Sequence, residues 1–429
     1  MIDLLKRCSG TTFCSYAKMC QRGLFSVLHY YGALPVSTCS KSCRRSHTNA
    51  SDVSNNVRHL RAESSAKMPS IPAHIADRLK TLKDDVIVAL LEDSDFENTM
   101  DSTKNVNVRN NIDFLAKVNP LMLNAKLIEM AKYYFLQSGK LFRPTISLLM
   151  SSACNQASSC DSNILVSDVN ANQYRIAIIS EMIHTASLVH DDVIDESDTR
   201  RGQPTANERW GNRQAVLVGD FILSRATKLL CRIGQPKVIS TMAEIVEDLV
   251  KGELMQLNCP PTLNGVDRFQ HYIMRTFYKS ASLFANSCKS VAILSGGDEH
   301  LQATAFEFGR HLGLAFQLVD DILDYVSSSA VLGKPATNDL RLGLATSPAL
   351  YAAQEHPELN ELIARRFTQP GDVEKAYAMV MKSSGLSNTR QLAKMHCDAA
   401  IEIVNKLPNG DLVRDCLAQI LLAQLERDH

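Results

Sequence analysis

The chain has 429 residues, with 46 Lys and Arg against 46 Asp and Glu, 45% hydrophobic residues and 21% charged residues. These are the values of a folded globule; they exclude a disordered or fibrous chain, and a polycation built for nucleic acid. The zero balance hides a polarity, because residues 1–50 hold seven basic residues (Lys6, Arg7, Lys18, Arg22, Lys41, Arg44, Arg45) and one acid, Asp3, so a +6 leader precedes a −6 body.

Residues 1–68 read as a leader. Its first 50 residues are basic, Ser-rich and nearly free of acid, which is the composition of an organellar transit peptide; on composition alone a disordered basic tail is the alternative. Charges at Lys6, Arg7, Lys18 and Arg22 interrupt any secretory signal. Of the twelve cysteines, five lie in this leader, and the rest are scattered without the paired spacing of a zinc site, which points to a reducing compartment.

Residues 69–429 read as one domain. From Ile71 onward apolar residues recur at threes and fours (Ile75, Leu79, Leu82, Val86, Ile87, Leu90), the period of a helix. No proline falls between Pro144 and Pro204 or between Pro261 and Pro335, so long helices can run unbroken there. Alternating strand patterns are scarce. The expected architecture is all-α, a large antiparallel helix bundle, with a polar connection around Ser151–Asn172 and a mobile loop over Val326–Pro348. No apolar run reaches the ~20 residues of a spanning helix. Membrane spanning is thereby excluded, and surface contact for product release stays open.

Two clusters carry the chemistry. His190-Asp191-Asp192-Val193-Ile194-Asp195 closes an apolar helical run, and its i, i+1, i+4 spacing predicts three carboxylates converging on a common cation. Gln317-Leu318-Val319-Asp320-Asp321-Ile322-Leu323-Asp324 repeats the design. Oxygen donors without His or Cys suit Mg²⁺ better than zinc. Cations accompany the acids. Arg200-Arg201-Gly202 follows the first cluster, Lys140 and Arg143 lie upstream around a Gly139-to-Pro144 segment, and His184 stands seven residues before Asp191. Arginine in particular matches phosphate oxygens.

This ordered set, with Lys279, Gly333 and Lys334, resembles the trans-isoprenyl diphosphate synthases over roughly residues 74–429. Within that family the Asp339–Thr346 stretch resembles the mitochondrial long-chain subgroup that makes the ubiquinone side chain. The resemblance implies an isoprenoid-synthase bundle with a central active-site cavity, and Mg²⁺ held by Asp191, Asp192, Asp195, Asp320, Asp321 and Asp324. It implies that Lys140, Arg143, His184 and Arg201 bind isopentenyl diphosphate, that Arg200, Lys279 and Lys334 bind the allylic diphosphate, and that Gln317 and Ser280 face the allylic cation. Asp191, Asp192, Asp195, Lys279, Gln317, Asp320 and Asp321 would form the catalytic set.

In this family small residues four and five positions before the first aspartate, here Ser187 and Ala186, go with long products. Leu141, Ser280 and Leu344 depart from the commoner Arg, Thr and Lys. A mitochondrial matrix location, and a second divergent synthase subunit in a heterotetramer, are further implications; a homodimer is the alternative that sequence leaves open. A terpene cyclase would carry a different second motif. A non-catalytic or weakly catalytic partner subunit, or a shorter-chain geranylgeranyl-type synthase, are the remaining alternatives.

Overall fold

The computed structural model describes residues 71–91, 120–137, 139–158, 169–258, 260, 265–326, 337–407 and 411–427. The leader, the 68/69 boundary and Lys334 lie outside the described residues.

Helix α1 (Ala73–Leu91) begins where the periodicity does and buries Ile75, Leu82, Val86 and Leu90 along one stripe. α2 (Pro120–Leu136) and α3 (Phe142–Ser158) follow. α4 (Ala171–Ile194) starts at a capping box: Asn170 Oδ1 accepts the Gln173 N–H at 2.9 Å, and Gln173 Oε1 accepts the Asn170 N–H at 3.0 Å. A two-stranded hairpin, β1 (Thr199–Arg200) and β2 (Gln203–Pro204), pairs Thr199 with Pro204 and Arg200 with Gln203. Its loop, Arg201-Gly202, has φ of +52° and +73°, the left-handed pair that a two-residue hairpin loop of the primed type requires.

Then come α5 (Ala206–Trp210), α6 (Asn212–Cys231) and α7 (Pro236–Leu257). α8 (Gly265–Thr276) runs through a π-helical turn, Phe277–Ala281, into α9 (Ser282–Leu294). α10 (Glu299–Val326) is 28 residues long, and α11 (Asn338–Arg341), α12 (Ser347–Glu355), α13 (Leu359–Ala364), α14 (Asp372–Lys382), α15 (Gly385–Lys406) and α16 (Asp411–Leu425) complete the chain.

α9 buries nearly every residue from Ser282 to Ile293, and a helix without a solvated face belongs inside a bundle. It packs against α3, α4, α7 and α10, while α10 lies along α15 and α4 along α6. One apolar cluster runs through these helices, from Ile75 to Leu422. Fully burying a Leu or Ile contributes about 1.5–3 kcal/mol. A buried amide pair, Asn155 and Gln173, exchanges hydrogen bonds at 2.9 and 2.8 Å, and Gln173 also donates to Val291 O at 3.1 Å, joining α3, α4 and α9.

Two sequence expectations are corrected. Ser151–Ser158 is helix rather than connection: Ser151 Oγ donates to Ser147 O at 2.6 Å and Ser147 Oγ to Arg143 O at 3.1 Å, so the hydroxyls are satisfied inside the helix and can be buried. The Val326–Pro348 segment is not loop throughout, since Asn338–Arg341 is a helical turn and Ser347 and Pro348 open α12. Positions 327–336 lie outside the described residues. The expected helices over the two proline-free stretches are present as α4 and α10. Arg341 is exposed.

Candidate active site

The first aspartate cluster closes α4, where the helix end carries partial negative charge. Asp195 is the C-cap, its N–H donating to Asp191 O at 2.8 Å. Asp192 does not converge with its neighbours. It is 1% exposed and turned into the body, where Tyr134 Oη donates to Oδ2 at 2.8 Å. Arg200 grips it in a fork, Nε at 2.9–3.0 Å and Nη2 at 2.7 Å. Tyr134 in turn accepts the Ala206 N–H at 3.0 Å, so α2, α4, β1 and α5 meet at one carboxylate. The expectation of three carboxylates within reach of a single cation is thus corrected: both Asp192 oxygens are already used. Asp191 keeps its place at the site, and burial pushes its carboxyl up to about 6, with Lys279 pulling the other way and Glu253 and Asp195 adding to the rise.

The second cluster, near the end of α10, repeats this plan. Its middle aspartate, Asp321, is 2% exposed; Tyr272 Oη donates to Oδ2 at 2.5 Å and Gln317 Nε2 to Oδ1 at 3.0 Å. Ser280 Oγ donates to Gln317 Oε1 at 2.7 Å, which orients the amide that the sequence had singled out. Burial pushes the Asp320 carboxyl up to about 6, against Arg427, whose Nη1 stands 3.0 Å from Oδ1. Asp324 accepts the N–H groups of Asn338 and Asp339, each at 3.1 Å, and so caps α11. Asp339 carries a carboxyl pushed well up by burial and by Asp324, Asp321 and Asp195, so charges of both clusters reach the residue whose N–H Asp324 holds.

Lys279 and Ser280 sit on the π-helical turn, which redirects two side chains toward α7 and α10. Lys279 is ion-paired with Glu253 and donates to Gln256 Oε1 at 3.1 Å. Gly252 makes this approach possible, because a Cβ there would meet Lys279 Cγ at 2.6 Å and its backbone N at 3.0 Å.

A pocket beside α4 is lined by Glu181, His184, Gly139, Gln137, Lys83, Tyr134, Arg200 and Arg201, among others. His184 is held neutral, its pKa well below the usual range through burial and the charges of Arg143, Arg200 and Arg201. Arg143 stacks over Phe284 and Phe316, with its guanidinium carbon 5.1 and 5.8 Å from the ring centroids, and its buried Nε makes no hydrogen bond. Phe316 also carries Arg427, at 4.9 Å on the same measure. Lys140 is exposed, between Gly139 and Leu141 of the pocket lining, and Leu141 has a φ of +48°. Ala186 is wholly buried in the main apolar cluster, and Ser187 Oγ donates to His184 O at 2.9 Å.

The structure therefore brings Asp191, Asp195, Asp320, Asp321, Asp324, Gln317, Ser280 and Lys279 to one end of α4, α10 and the π turn, with Arg143, His184, Arg200 and Arg201 alongside. Sequence reasoning missed Tyr134, Tyr272, Glu181, Glu253, Lys83 and Arg427. Only Glu181 carried a signal, a carboxylate inside an apolar helical run one turn before His184. Among the described residues no three His, Cys, Asp or Glu side chains form a ready metal cage. Asp191 and Asp320 are instead separate, half-buried carboxyls, Asp191 within the field of Lys279 and Asp320 paired with Arg427. Such donors fit Mg²⁺, which takes one or two carboxylates and completes its shell with water and phosphate oxygens.

A family model described as polyprenyl synthetase matches residues 124–380. The human all trans-polyprenyl-diphosphate synthase PDSS1 is 48% identical over 309 residues, 72% of this chain and 72% of that protein. The mitochondrial solanesyl-diphosphate synthase 1 of Oryza sativa subsp. japonica is 45% identical over 293 residues, 67% of this chain and 68% of that one. Among solved structures, a decaprenyl diphosphate synthase from Rhodobacter capsulatus superposes with a TM-score of 0.62 at 28% identity, covering 83% of this chain and 97% of that one. A polyprenyl synthase from Caulobacter crescentus complexed with calcium and isoprenyl diphosphate gives 0.65 at 26% identity, covering 85% and 99%. With its motifs in family order on an all-α bundle, the chain belongs to the polyprenyl synthetase family of prenyltransferases.

Proposed function

We propose that the protein is a long-chain all-trans-polyprenyl diphosphate synthase, adding isopentenyl diphosphate units to an allylic diphosphate such as farnesyl diphosphate to make the ubiquinone side-chain precursor. The observation that carries this reading is the pair of aspartate clusters, each with its middle carboxylate buried and fastened by a tyrosine and its first carboxylate left half-buried at the site with its carboxyl pushed up. A partner subunit without chemistry would not need Asp191 and Asp320 so disposed, and small residues at Ala186 and Ser187 speak against a short-chain synthase.

Asp191 and Asp195 from α4, with Asp320 and Asp324 from α10, would hold Mg²⁺. When bound, the ions supply the positive charge that offsets the developing charge on the leaving diphosphate as the allylic C–O bond breaks. Lys279, steadied by Glu253 and Gln256, brings a cation to the same end of the site, and Arg200 stays forked on Asp192 at its edge. Lys334 would add a cation from outside the described residues. Gln317, fixed between Ser280 and Asp321, presents its amide toward the allylic carbon, and the Ser280 oxygen stands beside it. The isopentenyl double bond attacks that carbon, with its own diphosphate held by Lys140, Arg143, Arg201 and neutral His184. A proton then leaves to the released diphosphate. Positioning and charge complementarity carry the rate.

The leader and the mitochondrial names among the relatives support import into the mitochondrion, with the matrix as the destination. A reporter fused to residues 1–68 should concentrate there; diffuse cytosolic signal would refute it. Exposed apolar side chains on neighbouring helices, Val216 and Leu217 of α6 with Val250, Leu254 and Leu257 of α7, support pairing with a second chain, either another copy or a divergent synthase subunit in a heterotetramer. No helix among the described residues is long and apolar enough to cross a membrane, so product release would use peripheral contact. Purified protein given Mg²⁺, isopentenyl diphosphate and farnesyl diphosphate should form a long polyprenyl diphosphate; no turnover with either a single chain or a supplied second subunit would overturn the reading.

A further inference from the structure

Glu181 has no part in the reaction described above, yet it lines the pocket that also holds His184 and Arg201, two of the residues proposed for the isopentenyl diphosphate. It lies on α4 one turn before His184, and the pocket wall around it includes Gly139, Gln137, Tyr134, Arg200 and Arg201. The charged and titratable groups around it come from every neighbouring element: Lys83 from α1, Tyr134 from α2, Arg143 from α3, His184 from α4 itself, and Arg200 and Arg201 from the hairpin.

A carboxylate in a pocket for a diphosphate is a conflict. Two like charges in a water-poor site cannot both stay ionised without a large cost, and the group that protonates most readily gives way. In the empty pocket the cations answer to Glu181; once a diphosphate enters, they answer to it. Burial already pushes the Glu181 carboxyl up, against the pull of Arg143, Arg201 and Lys83. His184 is less suited to take the proton, because burial and three arginines disfavour the imidazolium.

We propose that Glu181 is a diphosphate-binding residue which takes up one proton from solvent as the isopentenyl diphosphate enters, and then donates a hydrogen bond to one of its oxygens. No other bond changes, and the proton returns to solvent when the diphosphate leaves. This deepens the reading of the pocket given under Proposed function and rests on it. Its consequence is a pocket whose affinity falls as pH rises, by up to about tenfold per pH unit over the range in which the empty-pocket carboxyl is ionised, in addition to any titration of the ligand itself.

The test is calorimetric titration of isopentenyl diphosphate into the full chain, without metal, in two buffers of different ionisation enthalpy, which counts protons taken up on binding. The wild type should take up more protons than Glu181→Gln, by up to one per site, and the variant should keep binding with a flatter pH dependence. Glu181→Asp, which retains a carboxyl, should keep the uptake with weaker affinity. Equal proton counts in wild type and Glu181→Gln, with binding intact, would overturn the proposal and leave the pocket assignment standing. Absence of binding in the wild type would overturn both. Should neither variant fold, the wild-type count decides, and an uptake no greater than the ligand's own refutes the role.

Discussion

Asp192 and Asp321 hold equivalent places in their clusters, and in each the carboxylate is spent on the protein: Tyr134 and Arg200 on one side, Tyr272 and Gln317 on the other. The middle aspartates would act by orienting neighbours, and the first aspartates by facing the metal. Asp191→Ala should therefore weaken Mg²⁺ binding, read by calorimetry, with little change in melting temperature. Asp192→Asn should do the reverse, costing about 3 kcal/mol in denaturant unfolding because Arg200 is left against an uncharged partner. Equal effects of the two substitutions on metal affinity would contradict the division. The acid spacing itself was legible in the sequence, since i, i+1 and i+4 carboxylates after an apolar run stand out. Which of them turns inward was not legible, because Tyr134 reaches Asp192 across 58 positions of chain and nothing local marks the pair.

Among elements, the π turn does what a regular helix could not: it places Lys279 against α7 and Ser280 against Gln317 of α10. Gly252→Ala would push α7 off that turn, and overpacking of this kind costs about 1–3 kcal/mol. Activity should fall more than the melting temperature accounts for, in a comparison of kcat/KM with thermal unfolding. A second junction joins α10 to α15 through a histidine pair, half-buried His311 and buried His396, with their Nδ1 atoms 2.8 Å apart. Burial and Arg310 push His311 down to about 3, and burial with His311 and Arg310 pushes His396 well below the usual range. Both are neutral in the fold and charge freely when unfolded, so the unfolded state binds more protons. Stability should then fall as pH drops below about 6.5, by about 1.4 kcal/mol per pH unit for each proton. Replacing His396 with Leu should flatten the acid limb of a melting-temperature profile; an unchanged slope would clear the pair of this role. The helices around these junctions were legible from period and proline spacing. The π turn was not, because its residues read as ordinary helix formers, and Ser151–Ser158 misled because serines that bond back to their own helix look like loop in a sequence.

Across the whole molecule the zero net charge resolves into +6 on residues 1–50 and −6 on the remainder, which on the proposed function must bind two anionic substrates. Bulk attraction works against it, so under the proposed function binding would be local, through Arg143, Arg201, Lys279 and any bound metal. Raising ionic strength should consequently alter KM only modestly, since buried pairs are weakly screened. The exposed apolar side chains of α6 and α7 predict an assembly larger than one chain; Leu254→Glu should shift the sedimenting species toward monomer, and an unchanged oligomer would move the interface elsewhere. The family and its order of motifs could be read from the chain, but the outward stripe could not, because outward and inward apolar faces of a helix look alike until the neighbours are known. The central claim, that two aspartate clusters run a long-chain prenyl transfer, is tested most directly by sizing the products made from isopentenyl and farnesyl diphosphates with Mg²⁺, with a second subunit supplied if one is required. A long polyprenyl diphosphate that disappears in Asp191→Ala and Asp320→Ala is the predicted result; a geranylgeranyl-length product, or full activity in either variant, would contradict it.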